Sequence, residues 1–377
     1  MIPCQRKLFR IPEDVTYLNC AYMSPLMSSA AAAGETGFSR KLSPWEIQSE
    51  DFFTQAEQLR SAAAHLFASS ADDIAIVPSA SYGLATAALN LPVRRSQKIL
   101  VLEEQFPSNF YPWKRLAEEK GAELCIVPYP RDGDWTSNVL ASLEKDDIAI
   151  AALPQTHWTS GGLLDLLRIS TASRLCGAAL VLDLTQSLGA HPFDAGKIRP
   201  DFAVAATYKW LLGPYSLGIM YVAPQWQEGR PLEENWIQRA NSRSFTELTQ
   251  YTDSYDKGAR RFDMGERSNF ALLPCAIAAI EQLLHWDISE ISATLGGLTR
   301  TLAVALSEEG FRPFPEAFRA PHYLCLHSER QLQNWMEALT GQKIYVSVRG
   351  RFMRVTPHLY NSEKDVQRLI IALRKLR

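Results

Sequence analysis

At 377 residues the chain exceeds one ordinary domain, and two is the natural expectation. With 46% apolar and 21% charged residues it has the composition of a folded chain, not a disordered one. A net charge of -2 gives no long-range field to attract nucleic acid or an anionic membrane. The six cysteines (Cys4, Cys20, Cys125, Cys176, Cys275, Cys325) are scattered, with no C-x-x-C pair, which argues against a zinc site or a disulfide framework and for a reducing cytoplasm. No apolar run approaches the ~18 residues that span a bilayer, and the N-terminus MIPCQRKLFRIPEDV carries charges where a signal peptide needs apolar residues.

From about Asp73 to Val222 short apolar runs alternate with longer amphipathic ones. DIAIV (73–77) is read as a buried strand followed by a helix over Tyr82–Leu91, and KILVL (98–102) as a strand followed by a helix over Ser108–Lys120. ELCIV (123–127) and IAIAAL (148–153) are further strands. A helix over Leu166–Cys176 then leads to ALVLD (179–183), DFAVA (201–205) and LGIMYV (217–222). Continuous apolar runs suit strands covered on both faces. The expected fold class is therefore α/β, with a mostly parallel seven-stranded sheet flanked by helices on both faces.

Residues 224–262 break the rhythm with polar and aromatic sequence, the pattern of a lid, a binding loop or a mobile segment. Leu272–Trp286 and Ile288–Ser307 are predicted helices. HYLCLH (322–327), IYVSV (344–348) and FMRVT (352–356) are predicted strands, and an amphipathic helix starts near Ser362. The expected division is an N-terminal segment over 1–25 packing near the active site, a large cofactor-binding domain over 26–260 and a smaller α+β domain over 261–377.

The sequence has no G-x-G-x-x-G after a strand, no G-x-x-x-x-G-K-[ST], no H-E-x-x-H and no G-x-S-x-G, so dinucleotide, P-loop, zinc-protease and serine-hydrolase chemistry lack their usual support. The segment DFAVAATYKWLLGPYSLGIMYV instead places Lys209 directly after a buried strand. Lysine is almost never fully buried unless paired or chemically committed. A desolvated amine has a lowered pKa and can attack a carbonyl to form a Schiff base. The ordinary reading of such a lysine is a side chain snorkelling at a strand end; its companions change that reading.

Asp183 ends the apolar strand ALVLD, where it points into the crevice at the carboxyl end of a parallel sheet. Pyridoxal phosphate needs an acid at that kind of place, beside its pyridine nitrogen, because the protonated ring is the better electron sink. A helix N-cap is the plain alternative for Asp183. Gln186 either completes a capping box or donates to the cofactor's 3-oxygen. In PSASYGLATAAL, Ser79, Ala80 and Ser81 fall where a helix begins, so they are either an ordinary cap or a phosphate site made of free backbone N–H groups and a hydroxyl. Phe106 lies on a loop at the same sheet edge, placed to stack on a pyridine ring or to pack in the core. Thr207, two residues before the lysine, offers another phosphate contact.

Together these segments resemble the class V aminotransferase family of fold-type I pyridoxal-phosphate enzymes, which includes cysteine desulfurases, kynureninases and related C–S lyases. The matching pieces are YLNCAYMSP (17–25), PSASYG (78–83), EEQFPSNFYPW (103–113), DLTQSLGAHPFD (183–194), ATYKWLLGP (206–214), RFDMGERSNF (261–270) and MRVTPHLYNSEKDVQRL (353–369), in family order and across nearly the whole chain. The resemblance implies that Lys209 carries the cofactor, with Asp183 on the pyridine nitrogen, Gln186 on the 3-oxygen and Phe106 over the ring. It also implies that Ala80, Ser81 and Thr207 hold the phosphate. Ser268, in GERSN, would supply a phosphate contact from a second subunit, hence a homodimer with shared active sites. Arg354 would pair with the substrate α-carboxylate, a task that suits a bidentate guanidinium, unless it forms an ordinary ion pair. Asn19, in the first matching piece, would lie at the substrate.

Two departures shape the functional expectation. The stretch IYVSVRGRFMR holds no cysteine where desulfurases carry their nucleophile, so persulfide chemistry is not expected. In QTHWTSGG, where relatives often place an asparagine near the ring, this chain offers His157, Trp158 or Thr159, and Thr159 is taken as the cofactor contact. The expected function is a cytoplasmic enzyme acting on a small amino acid or related amine, foremost an aminotransferase. A C–S or β-lyase or an epimerase of the same family is the alternative, and a binding protein of this fold without turnover is the alternative from another class.

Overall fold

The computed structural model describes residues 1–327 and 332–376. The strands are β1 (Thr16–Tyr17), β2 (Ile74–Val77), β3 (Lys98–Leu102), β4 (Glu123–Val127), β5 (Ile148–Pro154), β6 (Ala179–Asp183), β7 (Phe202–Ala206), β8 (Gly218–Val222), β9 (Leu324–His327), β10 (Ile344–Tyr345), β11 (Ser347–Arg349) and β12 (Phe352–Val355). The helices are α1 (Ser28–Ser39), α2 (Asp51–Phe67), α3 (Ala80–Asn90), α4 (Tyr111–Lys120), α5 (Trp135–Lys145), α6 (Leu166–Cys176), α7 (Ala195–Ile198), α8 (Leu272–Trp286), α9 (Ile288–Glu308), α10 (Leu332–Gly341) and α11 (Glu363–Lys375).

Strands β2 to β8 form one seven-stranded sheet in the order β2-β8-β7-β6-β5-β3-β4, in which β8 alone runs against its neighbours. The expected mostly parallel α/β sheet is therefore present. Its two faces follow from the two-residue period of a strand. Ile74, Ile76, Leu180, Leu182, Ala203 and Ala205 enter a core shared with α2, α5, α6 and α8. The alternate residues Ala75, Val77, Val181 and Val204 enter a second core with Leu84 and Ala87 of α3 and Trp113 and Leu116 of α4. Burying each Val, Leu or Ile among them stabilises the fold by roughly 1.5–3 kcal/mol and each Ala by less, which is why these runs tolerate no polar alternation.

Two expectations about strands need correction. ELCIV, read as covered on both faces, is the edge strand β4, with Glu123 and Ile126 exposed. IYVSV is not one strand: it breaks at Val346, so that β10 pairs with β1 and β11 pairs with β12. Residues 224–262 form short 3-10 turns that pack on the large sheet's flank, with the Trp236 ring against Phe52 and Phe53, and none of them lines the cavity described below. Among the described residues no helix is long and apolar enough to cross a membrane.

The chain closes on itself around the sheet. Helix α8 packs on α1 and α2, with Gly37 so close that any Cβ there would overlap the Phe270 carbonyl. Asp263, fully buried, bridges the equally buried Arg60 and Arg267 and accepts the Ile76 N–H at 2.8 Å, tying this approach to β2. The antiparallel sheet β11-β12-β9 has its own core with α9 and α11. The N-terminal strand β1 lies parallel to β10, and Asn19 bridges Thr356, which carries the first residues toward the large sheet's carboxyl edge.

Candidate active site

The chain leaves β3 toward β4 on one side and β5 toward β6 on the other, so β3 and β5 flank a topological switch point where open α/β sheets bind ligands. A cavity of about 250 Å³ opens there. Its walls are the segments following β2 (Pro78 to Ser81), β3 (Gln105, Phe106), β5 (Thr156 to Trp158) and β7 (Tyr208, Lys209), together with Asp183, Thr185 and Gln186. Tyr215 to Leu217, entering the reversed strand β8, close it.

Lys209 is only 6% exposed and faces this cavity. Its ammonium lies 5.4 Å from the ring centroids of both Phe106 and Tyr208. Among the described residues it forms no ion pair. Desolvation is the largest influence and brings its pKa down to about 8; the Asp183 charge works the other way, and the nearby Arg354 and Arg349 lower it further. Asp183 is the last residue of β6, and its Oδ1 accepts the Thr185 N–H at 3.0 Å. Burial pushes its carboxyl above the usual range, against the Thr185 hydrogen bonds and the Lys209 charge.

Helix α3 begins with Ser79 as its cap: Oγ accepts the Tyr82 N–H at 3.2 Å and sits 2.8 Å from the Ser81 Oγ. The N–H groups of Ala80 and Ser81, in the first turn, have no helical partner and border the cavity. Phe106 stands edge-on to Trp158, with centroids 5.2 Å apart. The Gln186 carboxamide is largely committed, donating to the Ala21 carbonyl at 3.1 Å and accepting the Trp210 indole N–H at 3.0 Å, which leaves one amide hydrogen for the cavity.

Thr207, Thr159, Ser268, Asn19 and Arg354 are not among the residues that line the cavity. The Thr207 hydroxyl, fully buried, donates to the Pro214 carbonyl at 2.6 Å and braces the loop around Lys209. The Thr159 hydroxyl bonds to the Glu104 carboxylate and to His157. Of the three residues in QTHWTSGG, His157 and Trp158 line the cavity and Thr159 does not. His157 stacks on Trp135, and burial holds its pKa down to about 4. Ser268 lies outside the cavity, its hydroxyl donating to the Phe52 carbonyl. Asn19 is buried, and its Oδ1 has no partner.

Arg354, 2% exposed, borders the site through Trp158. Its Nε donates to the Ser347 hydroxyl at 2.9 Å, and Nη1 to the Trp158 carbonyl and the Tyr323 hydroxyl, each at 3.2 Å. No carboxylate among the described residues pairs with it. Tyr208 and Tyr215, whose rings meet at 4.5 Å, were missed by sequence reasoning; their position beside Lys209 and before β8 was the available signal.

A desolvated amine, a buried carboxylate and an open helix N-terminus around one cavity define a site for an aldehyde cofactor with a ring nitrogen and a phosphate. The family model for aminotransferase class-V matches residues 45–369, and the chain belongs to that family, which makes it a pyridoxal-phosphate-dependent enzyme. An uncharacterized aminotransferase (YcbU) of Bacillus subtilis strain 168 is 24% identical over 318 residues, covering 84% of this chain and 82% of the relative. A kynureninase of Shouchella clausii is 27% identical over 304 residues, covering 74% and 69%. Among solved structures, the apo cysteine desulfurase of Thermococcus onnurineus NA1 superposes with a TM-score of 0.84 at 18% identity, covering 100% of this chain and 98% of that one. The cystine C-S lyase C-DES gives 0.83 at 19% identity, covering 96% and 97%. These two likenesses show a shared fold.

Proposed function

We propose that the chain acts on an amino acid or related amine with pyridoxal phosphate held as a Schiff base by Lys209, and that the outcome is transamination. The observation that carries this reading is a lysine 6% exposed, without an ion pair among the described residues and brought down to about 8, in a cavity it shares with the buried Asp183. The donor set fits the cofactor. Asp183 would face the ring nitrogen, since a buried carboxylate lacking an ion pair calls for a cationic N–H. The Ala80 and Ser81 N–H groups would hold the phosphate, the Phe106 face would lie against the ring, and the remaining Gln186 amide hydrogen would reach the 3-oxygen.

When bound, the cofactor supplies an electron sink for bonds broken at the substrate α-carbon. Desolvation lowers the Lys209 pKa and so favours the neutral amine, and Nζ would take the proton from the substrate α-carbon and hand it to the cofactor-side carbon, the transfer that transamination requires. Arg354 would bind the α-carboxylate, because a buried guanidinium without a carboxylate partner lacks its counter-charge. Asn19, with its unpartnered Oδ1, would orient the substrate beside it. Phe106, Trp158 and Tyr208 restrict water around Nζ. Cysteine persulfide chemistry has no thiol here: Cys20 and Cys325, nearest the site, are buried with thiols pushed well up. A homodimer, with Ser268 reaching the other copy's phosphate site, is part of the reading. The exposed Tyr215, which lines the cavity, supports it.

The test is an amino-acid panel with the purified holoenzyme, with and without a 2-oxo acid acceptor. Turnover that depends on the acceptor supports transamination. Pyruvate or sulfide released without it overturns that outcome in favour of a lyase. A cofactor spectrum that no amino acid perturbs would leave a binding protein instead.

A further inference from the structure

The hairpin that carries Arg354 carries more positive charge than one carboxylate can satisfy. VSVRGRFMR places Arg349, Arg351 and Arg354 within six residues. Among the described residues none of the three pairs with a carboxylate. Arg351 is accounted for, since its guanidinium lies 5.0 Å over the Tyr129 ring and 5.4 Å from that of Phe352. Arg349 is not: among the described residues its one side-chain hydrogen bond is from Nη1 to the carbonyl of its own neighbour, Val348, at 2.8 Å.

The register fixes where Arg349 stands. Ser347 pairs with Arg354 and Arg349 with Phe352, so side chains 347, 349, 352 and 354 share one face of the β11–β12 hairpin. Arg349 and Arg354 are diagonal neighbours on that face, roughly 7–8 Å apart at the backbone and within reach of long side chains. The turn between them is the tight Gly350-Arg351 pair, with Gly350 at φ 54°, which holds the two strands in this register. Arg354 is anchored by Ser347, Trp158 and Tyr323, and Trp158 lines the cavity. Arg349 is half-buried beside Arg354, close enough that each guanidinium acts on the Lys209 charge.

Two neighbouring guanidinium groups repel each other, and partial burial without counter-charge raises the cost. One substrate α-carboxylate neutralises Arg354 and leaves Arg349 unmatched. We propose that Arg349 is a specificity-determining residue that selects an amino acid with a second carboxylate in its side chain, of aspartate or glutamate length, with Arg354 on the α-carboxylate and Arg349 on the distal one. This rests on the reading of Arg354 and Lys209 given above, and it deepens that reading to a substrate class. The corresponding 2-oxo dicarboxylate would fit the same two positions as amino acceptor.

The test uses holoenzyme and unreactive probes: succinate and glutarate against butyrate, titrated by calorimetry. The wild type is expected to bind a dicarboxylate about tenfold or more tightly than butyrate, the scale of one charge-assisted pair. Arg349→Gln should erase that difference while leaving butyrate affinity unchanged, and Arg349→Lys should restore part of it. Arg354→Gln should weaken all three probes. No preference in the wild type, or an Arg349→Gln variant that weakens butyrate as much as glutarate, would overturn the proposal; the latter result would place both arginines on one carboxylate. The parent reading fails separately, by a holoenzyme absorption band that survives Lys209→Ala. A band abolished by that substitution, with no dicarboxylate preference, sinks this inference alone.

Discussion

A lysine held out of water should cost the cofactor-free protein stability, and the size of that cost follows from its pKa. Burial takes Lys209 from 10.5 to about 8. At ~1.4 kcal/mol per unit, holding its proton in the folded state at neutral pH costs about 3 kcal/mol. The sign is set by the direction of the shift. The unfolded amine binds its proton more tightly, so the penalty is complete below pH 8 and disappears as pH rises through 10.5. Lys209→Met keeps the apolar stem and removes the charge. Some of the gain is offset, because Asp183 loses the one charge that favours its ionised form. Cofactor-free Lys209→Met is therefore expected to be more stable than the cofactor-free wild type by about 1–3 kcal/mol at pH 7. Urea midpoints for both proteins at pH 7 and pH 10 measure this, with cofactor removed because anything that binds only the folded state stabilises it. A variant no more stable than wild type at pH 7, or an advantage that does not shrink at pH 10, would refute the reasoning.

Other outcomes follow from the same site. Asp183→Asn should retain the cofactor yet lose turnover by about 10²–10³-fold, as expected for removing a group that stabilises developing charge; single-turnover kinetics would show it. Arg354→Gln should raise KM for amino acids about tenfold to a hundredfold with an unchanged cofactor spectrum, and an unchanged KM would remove Arg354 from the substrate. Acid should unfold the protein early. Buried His157 and His191 are held down to about 4, and His322 and His358 to about 3, so stability present above pH 6.5 is lost progressively as pH falls toward those values. Replacing His358, whose ring nitrogens have no hydrogen-bond partner among the described residues, with Phe should flatten that acid limb in pH-dependent urea titrations.

The parts of the fold that were legible were those where one force dominates. Strands β5, β7 and β8 are buried at every position and β6 at all but its first, so their apolar runs mark them almost to the residue. Strand β4 has an equally apolar sequence but sits at the edge, a distinction that depends on the neighbour it lacks and not on its own residues. Helices α1, α2 and α5 were not foreseen. In α1 the residues SSAAAAGETGFS bury little, with Ala30 and Gly37 buried against α8 through close approach rather than an apolar stripe. At the site, Lys209 and Asp183 were visible because a charge ending an apolar strand is out of place. Thr207, two residues before Lys209, reads from sequence as a further phosphate contact, but β7 ends at Ala206. The chain then coils through Leu212 and Ser216 at positive φ, turning the Thr207 hydroxyl onto the loop's own carbonyls. Arg349 gave no signal as a lone arginine in a strand; only the pairing of β11 with β12 sets it beside Arg354.

The central claim is that one amine, on Lys209, holds the cofactor. Borohydride reduction of the holoenzyme followed by peptide mass mapping tests it most directly. The expected result is loss of the visible cofactor band and a pyridoxyl group fixed on the peptide containing Lys209, absent in Lys209→Ala. A pyridoxyl group on any other lysine, or none on a protein that retains its cofactor, would contradict it.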